Sequence, residues 1–588
     1  MTLDASWTHL VGDHSSIRTS TVATVSDERL LALAEEYWDT LLEANPTAAS
    51  LLGDHRFDDR IEEFSAASEA ATRARWTSLL ERTAAVDRSS LDVDDGVTHG
   101  QLTAELDDAI SSIDARLVEL RSDQMTGFHV ELLQTLPVTS ASDSTSATRM
   151  LERFRRVPDA LEESTERFFE GTAAGRTPAA VCLSRSLNVI EGYLSSPLDD
   201  DVFATLAGPS DWDGEAEWRS ALRRLVEDAI RPAYRRLGDR LTTELLPVAR
   251  DDDHCGLSWL ADGPEVYATL VAHHTSLDLS PEEIHAIGLE EVTDKLPAEY
   301  AEVGGRAFGL SDPDAVLDRL RRDDSLRYRT GDEIMADARR AFGAASEAMA
   351  GWFGRLPRAL CTIEPVPEFL APDSPSAYYF PPPADGSRGG TYYVNVHRPD
   401  HKARYETASI AFHEAIPGHH LQLAIASELT GLPRFRRFSL SNTAYVEGWG
   451  LYSERLAEEM GLYRDDLDRL GMLAADSIRA CRLVVDTGVH ALGWSRSRAI
   501  EFMAAHTPVS VEEVTVEVDR YIGMPGQALA YKLGQREIFR LRASARARLG
   551  NRFDIKGFHD AVLGSGAVAL PVLGDLVDTW VASQETAG

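Results

Sequence analysis

The segment His413-Glu414-Ala415-Ile416-Pro417-Gly418-His419-His420 constrains the backbone more than any other part of this chain. In the H-E-x-x-H pattern of zinc hydrolases, two histidines four residues apart share one helix face, and the glutamate activates a metal-bound water. Here a proline stands in the fourth position, and a histidine six or seven residues on would lie about 9 to 10.5 Å away along an ideal helix. Zn–N bonds of about 2.0–2.1 Å require the two donor nitrogens to converge. A regular helix therefore cannot place both histidines on one metal.

Pro417 and Gly418 supply the distortion that the longer spacing demands. Pro417 has no N–H to give to the carbonyl of His413, and glycine tolerates almost any backbone angle. We therefore predict that the helix bulges or breaks between the two ligands. His419 and His420 are both candidates for the second ligand, because adjacent residues point in different directions. We favour His419 as the ligand and place His420 behind it.

A second helix is expected to bring the third ligand. Ser441-Asn442-Thr443 provides an N-cap, and good helix formers without proline follow from 444 to 460. Glu447 falls one turn into this helix and is the predicted third ligand, while Glu454, seven residues further on the same face, would orient a liganding histidine. Two histidines, one glutamate and an open position are typical of a catalytic centre with one Zn²⁺ per chain, and Fe²⁺ and Mn²⁺ are the alternatives.

Several segments together resemble the bacterial family catalogued as domain of unknown function 885. They are His413 to His420, Tyr445 to Glu454, Arg482 to His490, and Pro525-Gly526-Gln527-Ala528 with Tyr531 and Gly534. The similarity spans most of the chain and is densest from Ala377 onward. The family is similar to mostly helical zinc peptidases with a glutamate as third ligand. This resemblance implies a mainly α, large bilobal helical fold with a deep cleft, and a hydrolase.

The organisation of the chain agrees with a mainly helical protein. Residues 1–27 are polar and are expected to form a flexible tail, and residues 28–588 a single bilobal catalytic domain with the metal site within 405–540. Between Pro365 and Val396 the pattern changes, and two short strands around a turn-rich loop predict a β-hairpin or small sheet beside the active site. Long helices are expected around residues 66–87, 98–121, 146–172, 176–195, 214–247, 281–303 and 331–355.

Further site residues are predicted in two groups. Glu414 is the expected general base, and a Tyr or His donor should hydrogen-bond the developing oxyanion. The candidates for that donor are Tyr531 and His490, which the family resemblance favours. A strand beside the site could pair with an extended substrate, and an arginine could fix a substrate carboxylate. The substrate-binding candidates are Tyr392, Tyr393, Asn395 and Arg482.

The composition of the chain disfavours some classes of binding partner and of site. With 59 Lys and Arg against 95 Asp and Glu, the net charge of −36 disfavours binding to nucleic acid or an anionic membrane. There is no apolar run of 18 residues and no signal-like start, so we expect a cytoplasmic protein. The four scattered cysteines lack the CxxC spacing, so disulfides and cysteine zinc sites are not expected.

The leading functional hypothesis is a zinc-dependent hydrolase that cleaves an amide bond of a peptide or small metabolite through a metal-activated water, with Glu414 as general base. One alternative is a biosynthetic metalloenzyme, with non-haem iron as a candidate metal, that acts on a specialised metabolite. The other is a non-catalytic helical binding protein with a vestigial site. The expected partner is a peptide or small molecule, and the sequence leaves the oligomeric state undetermined.

Overall fold

The computed structural model describes residues 27–586, apart from 140, 210–211, 369–370, 372–373, 383–387 and 440. The predicted tail, except for Asp27, lies outside the described residues. The described part is mostly helical and contains twenty-four α-helices and three β-strands. In chain order, the first twelve helices are α1 Glu28–Ala44, α2 Pro46–Leu51, α3 Ala66–Ala84, α4 Val93–Asp114, α5 Phe128–Thr135, α6 Ser144–Ala173, α7 Ala180–Ser195, α8 Glu215–Leu225, α9 Arg231–Arg240, α10 Gly263–Thr275, α11 Pro281–Glu290 and α12 Leu296–Phe308. The other twelve are α13 Pro313–Arg322, α14 Gly331–Trp352, α15 Thr407–Glu414, α16 His419–Glu428, α17 Arg434–Phe438, α18 Thr443–Glu459, α19 Asp466–His490, α20 Arg496–His506, α21 Val511–Gly523, α22 Ala530–Leu549, α23 Ile555–Leu563 and α24 Leu570–Thr586.

Helix starts follow the capping residues of the sequence. The side chain of Asp27 accepts a hydrogen bond from the backbone of Leu30 at the start of α1, and Ser280 forms a capping box with Glu283 at the start of α11. The predicted long helices are present, although α4 begins five residues before its predicted start. The segment predicted as 214–247 consists of α8 and α9 joined by one π-helical turn, and a second π-helical turn follows α9. The segment predicted as 281–303 is likewise divided into α11 and α12 by a π-helical turn.

The three strands form one small sheet. They are β1 Cys361–Pro365, β2 Ala377–Phe380 and β3 Gly390–Val394. The sheet order is β1-β3-β2, with β1 parallel and β2 antiparallel to the central strand β3. The predicted hairpin is thus β2 and β3, and β1 is an additional strand that the sequence analysis did not predict.

The buried apolar side chains form separate clusters. The largest lies around α14, α15, α18, α19 and α22, where Phe412 and Trp449 are fully buried. A second cluster lies among α5 to α9, and a third joins α1, α3 and α4 to α17 through Phe435. The helices that carry the predicted metal ligands therefore lie in the best-buried part of the protein. In the described part of the chain, no helix is long and apolar enough to span a bilayer.

Candidate metal centre

The helix that carries His413 breaks where the sequence predicts. Helix α15 ends at Glu414, and α16 begins at His419. Between them, Ala415 and Gly418 have non-helical backbone angles, with ψ of −103° and −128°. The connection is anchored from α18, because Trp449 Nε1 and Ser453 Oγ donate hydrogen bonds of 2.9 and 3.2 Å to the carbonyl of Pro417.

Position 418 requires glycine for two reasons: its backbone angles, and the backbone of His413, which lies very close to it. A methyl group at this position would lie 1.9 Å from the carbonyl oxygen of His413. Any side chain would therefore push the two halves of the motif apart. The missing side chain allows His419 to come back toward His413, and the two imidazole rings meet edge to face with centroids 4.7 Å apart.

His413, His419 and Glu447 converge on one point. One potential ligand atom from each lies within 4.8 Å of the others. The distances from Glu447 Oε2 to the Nε2 atoms of His413 and His419 are 3.4 and 3.5 Å. These contacts are at the long end of the hydrogen-bond range, and their lengths match the spacing of about 3.3–3.4 Å between donors that lie about 2.0–2.1 Å from one tetrahedral zinc ion. The donor set and its spacing fit a zinc ion, and they favour His419 over His420 as second ligand.

Glu454 contacts the His413 ring on the side away from the other candidate ligands, as predicted. Glu454 Oε1 lies 2.8 Å from His413 Nδ1, and its other oxygen accepts a hydrogen bond of 2.5 Å from Ser409. A carboxylate on Nδ1 favours the tautomer whose Nε2 is free for a metal. On the other side, a methyl group on Gly450 would lie 2.6 Å from the His413 ring. The ring therefore packs directly on the backbone of α18.

The electrostatics of the site favour a cation where the candidate ligand atoms converge. Burial alone would lower the pKa of His413, but hydrogen bonds with Glu447 and Glu454 raise it to about 10. Burial would raise the pKa of Glu447, yet hydrogen bonds with His413 and His419 hold it well below its usual range. Burial raises the pKa of Glu414. Three carboxylates around two imidazoles thus stabilise positive charge at the point where the ligand atoms converge.

Glu414 lies close to the candidate ligands and also contacts the sheet. Its Oε2 accepts a hydrogen bond of 3.0 Å from the backbone N–H of Tyr379, in β2. His420 supports the same strand, because its Nδ1 lies 2.9 Å from the Tyr379 hydroxyl. Burial lowers the pKa of His420 to about 4. His420 therefore acts on Glu414 through Tyr379, and not on the metal ligands directly.

Tyr531 lies beside the ligands, in the first turn of α22. Its ring is nearly parallel to that of His413, with centroids 6.4 Å apart. The guanidinium of Arg482 covers the Tyr531 ring at 4.6 Å, and Arg479 approaches it at 5.8 Å. The structure thus brings both predicted residues, Tyr531 and Arg482, to the candidate metal centre.

His490 contradicts its predicted catalytic role. Its side chain is 1% exposed, its Nδ1 accepts a hydrogen bond from the backbone of Leu257, and its Nε2 lies 3.0 Å from the carbonyl of Tyr521. Burial lowers its pKa to about 3. Both ring nitrogens are occupied, so His490 joins α19 to two other segments and has no atom left for a substrate.

The substrate-binding role of β3 is also wrong. Because β3 is the central strand, both of its edges are paired, and neither can pair with a substrate backbone. Tyr392 is 1% exposed, Tyr393 stacks on Tyr378, and the Asn395 amide donates to the carbonyls of Ala371 and Ser374. The outer edge of the sheet that faces Glu414 belongs to β2. The sequence pattern located the two strands but not their order, because the partner β1 was not predicted.

Sequence reasoning missed four residues at this site: Ser409, Gly450, Tyr379 and Arg479. Ser409 precedes His413 by four residues and therefore shares its helix face, which is a signal that could have been used. Gly450 lies three residues after Glu447, on the same side of α18. The other two depend on which elements pack together, and the sequence carries no local signal for them.

The comparisons with known proteins agree with this architecture. The sequence model of the family described as "Bacterial protein of unknown function (DUF885)" matches residues 46–577. The chain belongs to this family. None of the curated proteins matches it.

Two solved structures are similar over nearly the whole chain. One, described as the putative lipoprotein from Colwellia psychrerythraea, is 26% identical and has a TM-score of 0.87, with 94% of this chain and 99% of that chain covered. The other, described as a putative lipoprotein of unknown function from Shewanella oneidensis, is 18% identical with a TM-score of 0.73, and 93% and 99% of the chains are covered. The second similarity concerns the fold alone.

Proposed function

We propose that this protein is a zinc-dependent hydrolase that cleaves an amide bond of a peptide or of a small amide-containing metabolite. The observation that carries the proposal is the convergence of His413, His419 and Glu447, with Glu414 next to them but outside the ligand set. Such a set leaves an open position, as catalytic zinc centres do. A vestigial site would have no need for a separate buried carboxylate at this place.

A zinc ion held by these three residues would polarise the amide carbonyl and make a water molecule more acidic. Glu414 accepts the proton of the attacking water and passes it to the nitrogen of the leaving amine. The Tyr379 N–H holds the Glu414 carboxylate in place, and Glu454 holds the His413 ring. Tyr531 is the proposed donor to the oxyanion, since its ring lies against His413 and its helix borders the site.

The proposed setting is that of the helical zinc peptidases, with two lobes and a deep cleft between them. The outer edge of β2, rather than β3, would be the strand that aligns an extended substrate, because β2 contacts Glu414 directly. We propose no nucleic-acid or membrane partner, in line with the net charge of −36. For location we propose the cytoplasm, whereas the description of both structural neighbours as lipoproteins favours an anchored protein; fractionation of cells that express the native gene decides between them.

The test combines metal analysis with one substitution. Protein purified without added metal is expected to contain about one zinc per chain, and the Glu414→Gln variant is expected to keep that metal. A pooled peptide library is then incubated with each protein, and the products are identified by mass spectrometry. Loss of a general base typically lowers turnover by about 10²–10⁴-fold. Equal turnover by Glu414→Gln and the wild type would contradict the mechanism.

The metal analysis also separates the proposal from its closest alternative. The same two-histidine, one-carboxylate donor set suits non-haem iron. Stoichiometric iron together with oxygen-dependent chemistry would support a biosynthetic metalloenzyme. Stoichiometric zinc with peptide cleavage supports the hydrolase.

A further inference from the structure

Three arginine side chains gather beside Tyr531, at the edge of the candidate metal centre. Arg479 and Arg482 lie about one turn apart on α19, and both of their guanidinium groups approach the Tyr531 ring. Arg520, from α21, lies 3.5 Å from Glu517, which also accepts a hydrogen bond of 2.9 Å from Arg482. In a chain with 95 acidic residues and only 59 basic ones, this local concentration of positive charge is unusual.

The acids nearest these cations are shared between them or already hydrogen-bonded to other groups. Arg482 and Arg520 share the single carboxylate of Glu517. Glu454 lies 3.9 Å from Arg479 but is already hydrogen-bonded to His413 and Ser409. Glu406 is a further acid within electrostatic reach of Arg479, and Asp486, which accepts hydrogen bonds from Tyr267 and Gly526, is within reach of Arg520. Two of the three arginines therefore depend on one shared carboxylate for a direct ion pair.

Two of the donor atoms in the cluster are buried and have no acceptor. Arg479 Nε and Arg482 Nη1 lack a hydrogen-bond partner within the described residues. Arg482 is 6% exposed as a whole. A buried donor without a partner is costly, and in native proteins such groups are nearly always paired. Both atoms therefore indicate an acceptor that binds here, and the three guanidinium groups at this place favour an anionic acceptor.

The distance from Arg482 to the candidate metal centre limits how many residues a substrate can have between its carboxylate and the reacting amide. The Arg482 guanidinium lies 4.6 Å from the Tyr531 ring, whose centre is 6.4 Å from that of His413, so the end-to-end span is at most about 11 Å. An extended chain covers about 3.3–3.6 Å per residue. A guanidinium that binds a carboxylate at this distance would leave space for one or two residues between that carboxylate and the reacting amide.

We propose that the substrate is a peptide or acyl amino acid whose free carboxylate lies one or two residues from the scissile amide and binds to Arg479, Arg482 and Arg520. This inference rests on the proposed amide hydrolase and adds its substrate class. Guanidinium groups suit carboxylates because their planar donors can bind both oxygens. The site would thus act close to a free carboxyl end rather than in the interior of a chain.

The experiment compares two pools of otherwise identical tripeptides, one with free and one with amidated carboxyl termini. The zinc-loaded wild type is expected to cleave the free-acid pool at least about tenfold faster. Arg479→Gln and Arg482→Lys should reduce that preference, the latter while keeping the charge. Arg498→Gln is the matched control, because Arg498 also lies over an aromatic ring, that of Trp494 at 4.0 Å, and should keep the preference.

Binding to the Glu414→Gln protein separates this inference from the function on which it depends. Equilibrium dialysis should retain free-acid tripeptides over amidated ones in the Glu414→Gln protein, and the additional Arg479→Gln change should abolish the difference. That result supports the carboxylate site even when no cleavage occurs. Equal cleavage of both pools, or equal retention of both, would overturn the proposal while leaving the hydrolase function open.

Discussion

Gly450 offers the sharpest test of the metal centre, because its only contribution is the space it leaves. A methyl group added at this position would lie 2.6 Å from both Cε1 and Nε2 of His413. Ordinary contacts between such atoms are about 3.5–4.0 Å. In Gly450→Ala the imidazole must therefore move by about 1 Å. Metal–ligand distances tolerate changes of about 0.2 Å, so His413 would lose its place on the metal.

The expected magnitude is large for one methyl group. Loss of a group that merely orients a ligand typically lowers metal affinity by about 10–100-fold. Displacement of the ligand itself should lower the affinity of Gly450→Ala for zinc by at least about 100-fold. The affinity is measured by competition with a calibrated chelator, and metal content by elemental analysis after dialysis.

Gly343→Ala provides the control. Gly343 also lies within a helix, α14, and a methyl group there would meet no atom within 4 Å. Alanine is favoured over glycine inside helices by about 0.5–1 kcal/mol, so this variant should bind zinc normally and unfold at a slightly higher temperature. Wild-type zinc affinity in Gly450→Ala would refute the placement of His413 as a ligand.

Two further predictions concern the same ring. Glu454→Gln should weaken zinc binding by about 10–100-fold, since it removes the charge that orients His413. Glu458→Gln is the control, because Glu458 lies on the same helix but pairs with Arg469, and it should bind zinc normally. Chelator competition measures the zinc affinity of both variants. Because the pKa of His413 is about 10 without metal, zinc must displace a proton between pH 6 and 8, so its affinity should rise about tenfold per pH unit. Calorimetry in buffers of different ionisation enthalpy should show that one proton is released from His413 for each zinc bound. A zinc affinity that does not change with pH would contradict the contacts of His413 with Glu447 and Glu454.

The sequence predicted the local parts of this site well. The break between α15 and α16 and the position of Glu454 seven residues after Glu447 are both properties of short segments, and each follows from helix geometry. The positions of the long helices were also predictable, although some of their bounds and their π-helical interruptions were not. These features need no knowledge of which elements touch.

The features that the sequence could not provide depend on packing between distant segments. His490 has the same chemistry as a catalytic histidine, and only the positions of Leu257 and Tyr521 show that both of its nitrogens are used. The strand order places β3 in the centre because β1, some 25 residues earlier in the chain, pairs with it. A strand pattern cannot indicate whether its edge is free.

Helix α18 explains how a motif with a longer spacer can still form a compact centre. Along little more than two turns, Glu447 contributes a candidate ligand, Trp449 and Ser453 donate hydrogen bonds to the carbonyl of Pro417, and Glu454 contacts Nδ1 of His413. Glu447 and Glu454, seven residues apart, lie on one face of α18, and Trp449 and Ser453, four residues apart, lie on another. A single rigid helix therefore positions both the candidate ligands and the break that separates the two histidines. The break between α15 and α16 and the spacing of residues along α18 therefore depend on each other. A change of spacing in either alone would misplace His419 relative to Glu447.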